Sequence, residues 1–249
     1  MRDEDSVIEG RNVVLESFRS GQTIERLFIQ QGLRDEVIMR IIKAAGKQGT
    51  AIDYLPKERL DEMSPTGHHQ GVIAYSSLVS YCEVDDILDY AAEKEEAPFI
   101  IILDEIEDPH NVGAIIRTAD ACGCHGIIMP KRRTAGLTAA VQRASAGALN
   151  YAKIARVTNI GKTIDELKKK GLWFICADMD GQSMYDLDMT GPMGLVIGNE
   201  GSGVQPLIRK KCDMTAAIPM KGHIGSLNAS VAAGVMAYEI LRQRIVKGR

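Results

Sequence analysis

The sequence predicts an α/β protein built on a buried parallel sheet, with a smaller α/β domain ahead of it. Residues 99–103, Phe-Ile-Ile-Ile-Leu, form an uninterrupted apolar run, as expected of a strand buried on both faces. Beyond it, short apolar runs alternate with stretches of helical periodicity as far as residue 245. Two glycine-rich polar turns, at residues 198–203 and 225–230, follow late apolar runs. Backbone N–H groups at such turns are free to grip a small polar ligand.

Taken in order, residues 8–16 predict a short helix entry, 24–29 a strand, and 35–45 a helix with Val37, Ile38, Ile41 and Ile42 on one face. A strand at 51–55, a helix at 57–63, a turn at 67–71 and a strand at 72–75 complete a first domain, 1–78. Residues 79–97 read as an acidic linker with one helix, carrying Val84, Ile87, Leu88 and Ala91 on a single face. The second domain, 98–249, then alternates. Strands are expected at 99–103, 126–129, 152–157, 172–177, 195–197 and 215–218. Helices are expected at 111–121, 137–148, 163–170, 204–210 and 227–245. Trp173, in an apolar run, is expected in the core.

Composition bounds the function. The 249 residues are 45% hydrophobic and 25% charged, which describes an ordinary globular protein able to bury a core. A net charge of -3 gives no global attraction for nucleic acid, but the charge is uneven. From Pro98 onward 19 Lys/Arg face 14 Asp/Glu, whereas residues 81–97 hold seven acids and one lysine. The basic excess therefore shares its stretch with the glycine turns. Cys82, Cys122, Cys124, Cys176 and Cys212 are scattered without a C-x-x-C pair. That argues against a disulfide framework or zinc, and for a reducing compartment. The start, Met1-Arg2-Asp3-Glu4-Asp5, is charged, and no apolar run approaches ~18 residues. A cytoplasmic protein without a membrane span or a metal site is expected.

Three clusters could carry chemistry. The first, Asp108 to Asp120, follows the 99–103 strand, at the strand end where open α/β sheets bind ligands. Asn111 and Arg117 lie six positions apart, about 600° of helical rotation, so they share a site only if Asn111 caps the helix and Arg117 reaches round. Asn111 could equally be only an N-cap and Arg117 a solvated arginine. The second, Gly198-Asn199-Glu200-Gly201-Ser202-Gly203, allows close approach of backbone to a ligand. It is neither a Walker A loop nor a G-x-G-x-x-G opening a βαβ unit, and spacing does not decide whether Glu200 is a turn acid or a site acid. In the third, Ser226-Leu227-Asn228-Ala229-Ser230, Ser226 is a plausible N-cap. Ala229, Ala232, Ala233, Gly234 and Ala237 then suit either close packing within the chain or a contact between two copies.

These clusters resemble the three ordered motifs of the SpoU/TrmH family, S-adenosylmethionine-dependent RNA ribose 2′-O-methyltransferases. The residues that carry the resemblance are Asp108 to Ala119, Ile197 to Gly203, and Ile218-Pro219-Met220 with Ser226 to Ala232. The front segments Ile8-Glu9-Gly10-Arg11-Asn12 and Gly67-His68-His69-Gln70-Gly71 resemble the L30e-like RNA-binding domain of the RlmB-type members, which modify a guanosine of 23S ribosomal RNA. The resemblance implies a SPOUT fold with a C-terminal trefoil knot and a homodimer that completes the site. It implies S-adenosylmethionine held by Gly198, Ile218, Met220, Ser226 and Leu227, and a catalytic group of Asn111, Arg117, Glu200 and Asn228.

The implied reaction carries a methyl group from a sulfonium to a ribose 2′-oxygen. An arginine stays protonated in proteins, so Arg117 is expected to fix a phosphate or the developing alkoxide rather than to act as base. Aromatic residues make up only 5%, so stacking is not expected to dominate RNA binding. Arg11, His69, Arg132 and Arg143 are the expected RNA contacts. The alternatives are a transfer RNA or another ribosomal RNA site as target, or a catalytically silent RNA-binding or ribosome-assembly factor.

Overall fold

A computed structural model describes residues 7–223 and 225–247; the charged start read above lies outside them. The chain divides into two compact units, one reaching to Ser80 and joined by Gly136–Gln142, the other comprising Tyr81–Ala135 and the chain from Arg143 onward.

The first unit holds β1 (Val7–Glu9), α1 (Arg11–Arg19), β2 (Ile24–Gln30), α2 (Glu36–Gln48), β3 (Ala51–Leu55), α3 (Lys57–Met63) and β4 (Val72–Ser76). Its sheet runs β1-β4-β2-β3, with β2 and β3 parallel and the other pairings antiparallel. The apolar period of α2 does what it promised. Ile38, Ile41 and Ala45 are buried against Ile24, Leu27, Ile29 and Val72, and the Asp35 carboxylate caps the helix by accepting from the Ile38 N–H at 3.1 Å. The expected helix entry at 8–16 is split: Ile8 pairs with Ala74 in β1, and the helix starts only after Gly10.

The second unit holds α4 (Val84–Glu93), β5 (Phe99–Asp104), α5 (Pro109–Ala121), β6 (Gly126–Pro130), α6 (Ala139–Ala144), β7 (Ile154–Val157), α7 (Ile160–Lys169), β8 (Trp173–Ser183), β9 (Met193–Gly198), α8 (Pro206–Arg209), β10 (Met214–Ala217) and α9 (Ala229–Lys247). Only α6 straddles the division between the units. Every pairing in its six-stranded sheet, β10-β8-β9-β5-β6-β7, is parallel. Ile100, Ile102, Ile128, Phe174 and Val196 form one core with Ile160, Ile164 and Leu167. Each such side chain contributes roughly 1.5–3 kcal/mol by leaving water. On the other face α9 packs against α5 and β9, burying Ala233, Met236, Ala237 and Ile240. The small residues Ala229, Ala233 and Ala237 thus serve packing within the chain. Val231, Val235, Tyr238, Ile245 and Val246 of the same helix stay exposed.

Four elements differ from the sequence expectation. The acidic 79–97 stretch is not all linker: Ile87 and Ala91 of α4 are buried, and Ile87 belongs to the second unit's core, while Glu93 to Glu96 stay exposed. The 137–148 helix shrinks to α6, because Ala146 and Gly147 both take positive φ and turn the chain into a short 3-10 turn at Ala148–Asn150. Trp173 is 57% exposed: it is the first residue of β8, ahead of the pairing with β10, and its N–H donates to Pro192 O. Finally, β8 runs six residues past the expected end. Thr215 lies opposite Cys176 but Ala216 lies opposite Gln182, so residues 177–181 bulge out of the sheet.

Candidate active site

The carboxyl ends of β5 and β9 lie side by side, with Asp104 opposite Gly198. Because the strands are parallel, the chain leaves both on the same edge of the sheet, where such sheets hold ligands. From β5 it enters α5, capped by Asp108, whose carboxylate accepts the His110 N–H at 2.9 Å. Pro109 occupies the first turn, where a missing N–H costs nothing. Asn111, in that same turn, is not the cap, and its side chain is free for other work. It is 6% exposed.

From β9 the chain enters the glycine turn. Asn199 N–H donates to Gly203 O at 3.1 Å and Gly203 N–H returns to Asn199 O at 2.9 Å. The Asn199 Oδ1 accepts from Gly201 N–H at 2.9 Å and Ser202 N–H at 3.4 Å, while its Nδ2 donates to Glu105 O at 3.0 Å. The turn's N–H groups at 201, 202 and 203 are therefore spent on the turn itself and are not free for a ligand, against the sequence expectation. Gly198 is required by closeness: a Cβ there would stand 2.1 Å from the carbonyl carbon of Gly203. At the turn's exit the Asp104 carboxylate accepts from the Gln205 backbone N–H at 2.7 Å and from its side-chain Nε2 at 3.0 Å. Asp104 is 1% exposed, and burial pushes its pKa above the ordinary carboxylate value.

The third segment arrives at the head of α9. Asn228 Oδ1 accepts from Ser230 N–H at 2.9 Å, Ser230 Oγ at 2.6 Å and Val231 N–H at 3.3 Å. Asn228, not Ser226, is thus the helix cap. Its Nδ2 donates to Asn111 Oδ1 at 3.0 Å, and Asn111 Nδ2 donates in turn to Glu200 Oε1. Glu200, Asn111 and Asn228 form one hydrogen-bonded row, in which each amide's orientation is dictated by its neighbours.

Beside the row lies a cavity of about 440 Å³, within the ~300–1,000 Å³ usual for small-molecule sites. Gly198, Ile218, Met220, Ser226 and Leu227, the five residues expected to hold the cofactor, all line it, and so does Glu200. Met220 and Leu227 keep 37% of their surface exposed at its wall. The bulge of β8 supplies the wall that sequence reasoning missed, Ala177 to Asp180. Asp178 there is paired with Arg209 of α8 at 2.9 Å. The donor set fits S-adenosylmethionine: an apolar wall from Ile197, Ile218 and Leu227 suits an adenine, and the acidic side chains suit a cationic tail.

Other expected residues are placed elsewhere. Arg117 is exposed on α5 and makes no hydrogen bond or ion pair among the described residues, so one chain does not bring it into the Asn111 row. In the first unit, Arg11 donates to Asp35 at 2.7 Å and to Gln70 O at 2.9 Å. His69 is 4% exposed. Its Nδ1 accepts from Gly71 N–H at 2.9 Å, so the ring proton sits on Nε2, which donates to Asp61 at 2.8 Å. That ring is a brace for the 67–71 turn rather than an open contact. Arg132 and Arg143 are both exposed.

Known proteins resemble this chain over nearly its whole length. Residues 98–238 match the SpoU rRNA Methylase family, and residues 7–82 match the family described as RNA 2′-O ribose methyltransferase substrate binding. A Bacillus subtilis protein named a TrmH family tRNA/rRNA methyltransferase, YacO, is 44% identical over 98% of each chain. The SpoU methyltransferase AviRb from Streptomyces viridochromogenes, solved in complex with AdoMet, superposes with a TM-score of 0.61 at 28% identity, over 96% of this chain and 90% of that one. An AdoMet-bound rRNA methyltransferase from Sinorhizobium meliloti gives 0.60 at 25% identity, over 97% and 89%.

Proposed function

Because this chain belongs to the SpoU methylase family of S-adenosylmethionine-dependent RNA methyltransferases, we propose that it methylates the ribose 2′-hydroxyl of a guanosine in 23S ribosomal RNA. The observation that carries this reading is the Glu200–Asn111–Asn228 row, one end of which lies on the cavity wall. The choice of a 23S guanosine rests on the resemblance of the front motifs to the RlmB-type members. Transfer RNA is the second reading, favoured by relatives named for both RNA classes.

When bound, S-adenosylmethionine supplies the methyl group from its sulfonium. The protein's task is alignment of the 2′-oxygen with that methyl and management of one proton. Gly198, Ile218, Met220, Ser226 and Leu227 shape the cavity that holds the donor. The Asn111 row presents Glu200 at its edge in one orientation. Arg117, with all its donors unspent, fixes an RNA phosphate or the developing alkoxide, and the proton leaves to phosphate or water. Arg11, Arg132 and Arg143 are assigned to RNA phosphates, and His69 to holding the turn beside Arg11.

The exposed Val231, Val235 and Tyr238 of α9 support a homodimer through the catalytic unit, which completes the site with Arg117. We take the front unit as L30e-like and the C-terminal segment as a trefoil knot. Support for the knot is that β10 joins one margin of the sheet while α9 returns to α5 and β9. A cytoplasmic site of action goes with the RNA substrate.

The deciding experiment maps ribose methylation on ribosomal and transfer RNA from cells lacking the protein. Loss of one 2′-O-methylguanosine in 23S RNA is expected. An unchanged 23S map beside a lost transfer RNA mark would move the assignment to the second reading, and no change in either would leave the silent factor.

A further inference from the structure

Asp104 has no place in the methyl transfer described above, yet it is a carboxylate 1% exposed at the carboxyl end of a central strand. No ion pair reaches it among the described residues. The charged group acting on it is Glu105, whose like charge adds to the penalty of burial and whose own carboxylate holds Arg133 at 2.9 Å. Charges are rarely buried without a partner, because desolvation opposes them.

Its two hydrogen bonds both go to Gln205, at 2.7 Å to the backbone N–H and 3.0 Å to Nε2. One position on, Glu105 O accepts from Asn199 Nδ2 at 3.0 Å. The end of β5 therefore grips the glycine turn twice, at its entry through Asn199 and at its exit through Gln205. Between those grips lie Glu200 and the cavity wall from Gly201 to Gly203. The bonds within the turn, between Asn199 and Gly203, close it on itself but do not set its height above the sheet. The three bonds to the end of β5 do, together with the bond from Asn111 to Glu200.

We infer that Asp104 and Gln205 are a positioning pair that sets the glycine turn against the cofactor cavity, so that the affinity for the methyl donor depends on the polarity of this one contact. The pair works through the turn and touches neither substrate nor cofactor. Polarity makes it testable. Gln205→Glu sets two carboxylates against each other across the 3.0 Å contact and pushes the turn's exit off the sheet. Adding Asp104→Asn restores complementarity with donor and acceptor exchanged. The new Asn Nδ2 donates to the Glu carboxylate, its Oδ1 still accepts the backbone N–H of 205, and the net charge of the pair is that of the native protein. Asp104→Asn alone is also tolerated, because the Gln205 amide can flip to present its oxygen.

The inference rests on S-adenosylmethionine binding and not on which RNA is methylated. The probe is S-adenosylhomocysteine, titrated calorimetrically into the full-length protein without RNA, with thermal midpoints measured on every variant. Gln205→Glu is expected to weaken binding at least tenfold, and Asp104→Asn/Gln205→Glu to return it to within threefold of the native value. A pH series gives a second readout. The Gln205→Glu defect should ease in acid, as one of the two facing carboxylates takes a proton and donates to the other, and this recovery should be missing in Asp104→Asn/Gln205→Glu. The idea is overturned by unchanged affinity in Gln205→Glu. It is equally overturned by a double variant that melts like the native protein yet binds as weakly as Gln205→Glu.

Discussion

Asn228 Nδ2 lies 3.0 Å from Asn111 Oδ1, joining the head of α9 to the first turn of α5 across 117 positions of sequence. The other end of the Asn228 amide caps α9 through the N–H groups of Ser230 and Val231. One side chain thus serves both the helix and the row. Asn228→Asp separates the two roles, since a carboxylate still caps but cannot donate to Asn111. Stability should stay near the native value and methyl transfer should fall at least tenfold. Asn228→Ala should lose activity and about 1 kcal/mol besides, the usual worth of a cap. Chemical denaturation beside a tritiated-methyl assay distinguishes the two.

Arg117 offers the opposite case, a side chain with no partner to lose among the described residues. Arg117→Lys and Arg117→Ala should both leave stability within about 0.5 kcal/mol of native, as surface changes do. Turnover should fall in both, because an ammonium cannot reproduce the guanidinium fork. Near-native turnover by Arg117→Lys at neutral pH would remove any role that needs the fork.

Gly198→Ala tests the turn. The added methyl meets the backbone of Gly203 and Val204, 2.1 and 2.2 Å away, where no flexible side chain can yield. The thermal stabilisation given by S-adenosylhomocysteine to the native protein should disappear in this variant. Full stabilisation would mean the turn moves freely.

These sites also show what was legible in the sequence. Strands such as Phe99–Asp104 and helices such as Glu36–Gln48 announce themselves, because burial on two faces leaves an unbroken apolar run and burial on one leaves a period. The five residues proposed to hold the cofactor were reached through motif resemblance, and they line one cavity. Spacing alone could not connect Asp104 with Gln205, 101 positions away, since that bond depends on strand order. Nor could it choose between Ser226 and Asn228 as cap, because both are good caps two residues apart. Trp173 misled because hydropathy reports a residue's preference and not its place at a strand's first position. Residues 177–181 continue β8 without a partner residue in β10 or β9, an excursion set by strand order rather than by local pattern.

Acid should weaken the fold through His125. This ring is buried, accepts the Phe99 N–H on Nδ1 at 2.9 Å and lies 3.1 Å from Glu96 through Nε2. Burial, outweighing the Glu96 carboxylate, holds its pKa below the ordinary 6.5. The unfolded chain therefore binds the proton first, and stability falls as pH drops below 6.5 towards the lower folded value. His125→Asn keeps an acceptor for Phe99 and cannot titrate. Its urea midpoint should decline less than the native one between pH 7 and about pH 5.

A dimer through α9 predicts that Val235→Arg or Tyr238→Asp, both on exposed positions, yields a folded monomer by light scattering. A variant that stays dimeric would place the contact elsewhere.

The slack in β8 has a consequence for how this pocket can change over generations. Pairing resumes on either side of residues 177–181, with Cys176 opposite Thr215 and Gln182 opposite Ala216. Four of them, Ala177 to Asp180, form cavity wall without holding any strand in register. Insertions or deletions there would reshape the cavity wall while the sheet kept its alignment, so related chains can diverge in length at this point and still fold alike.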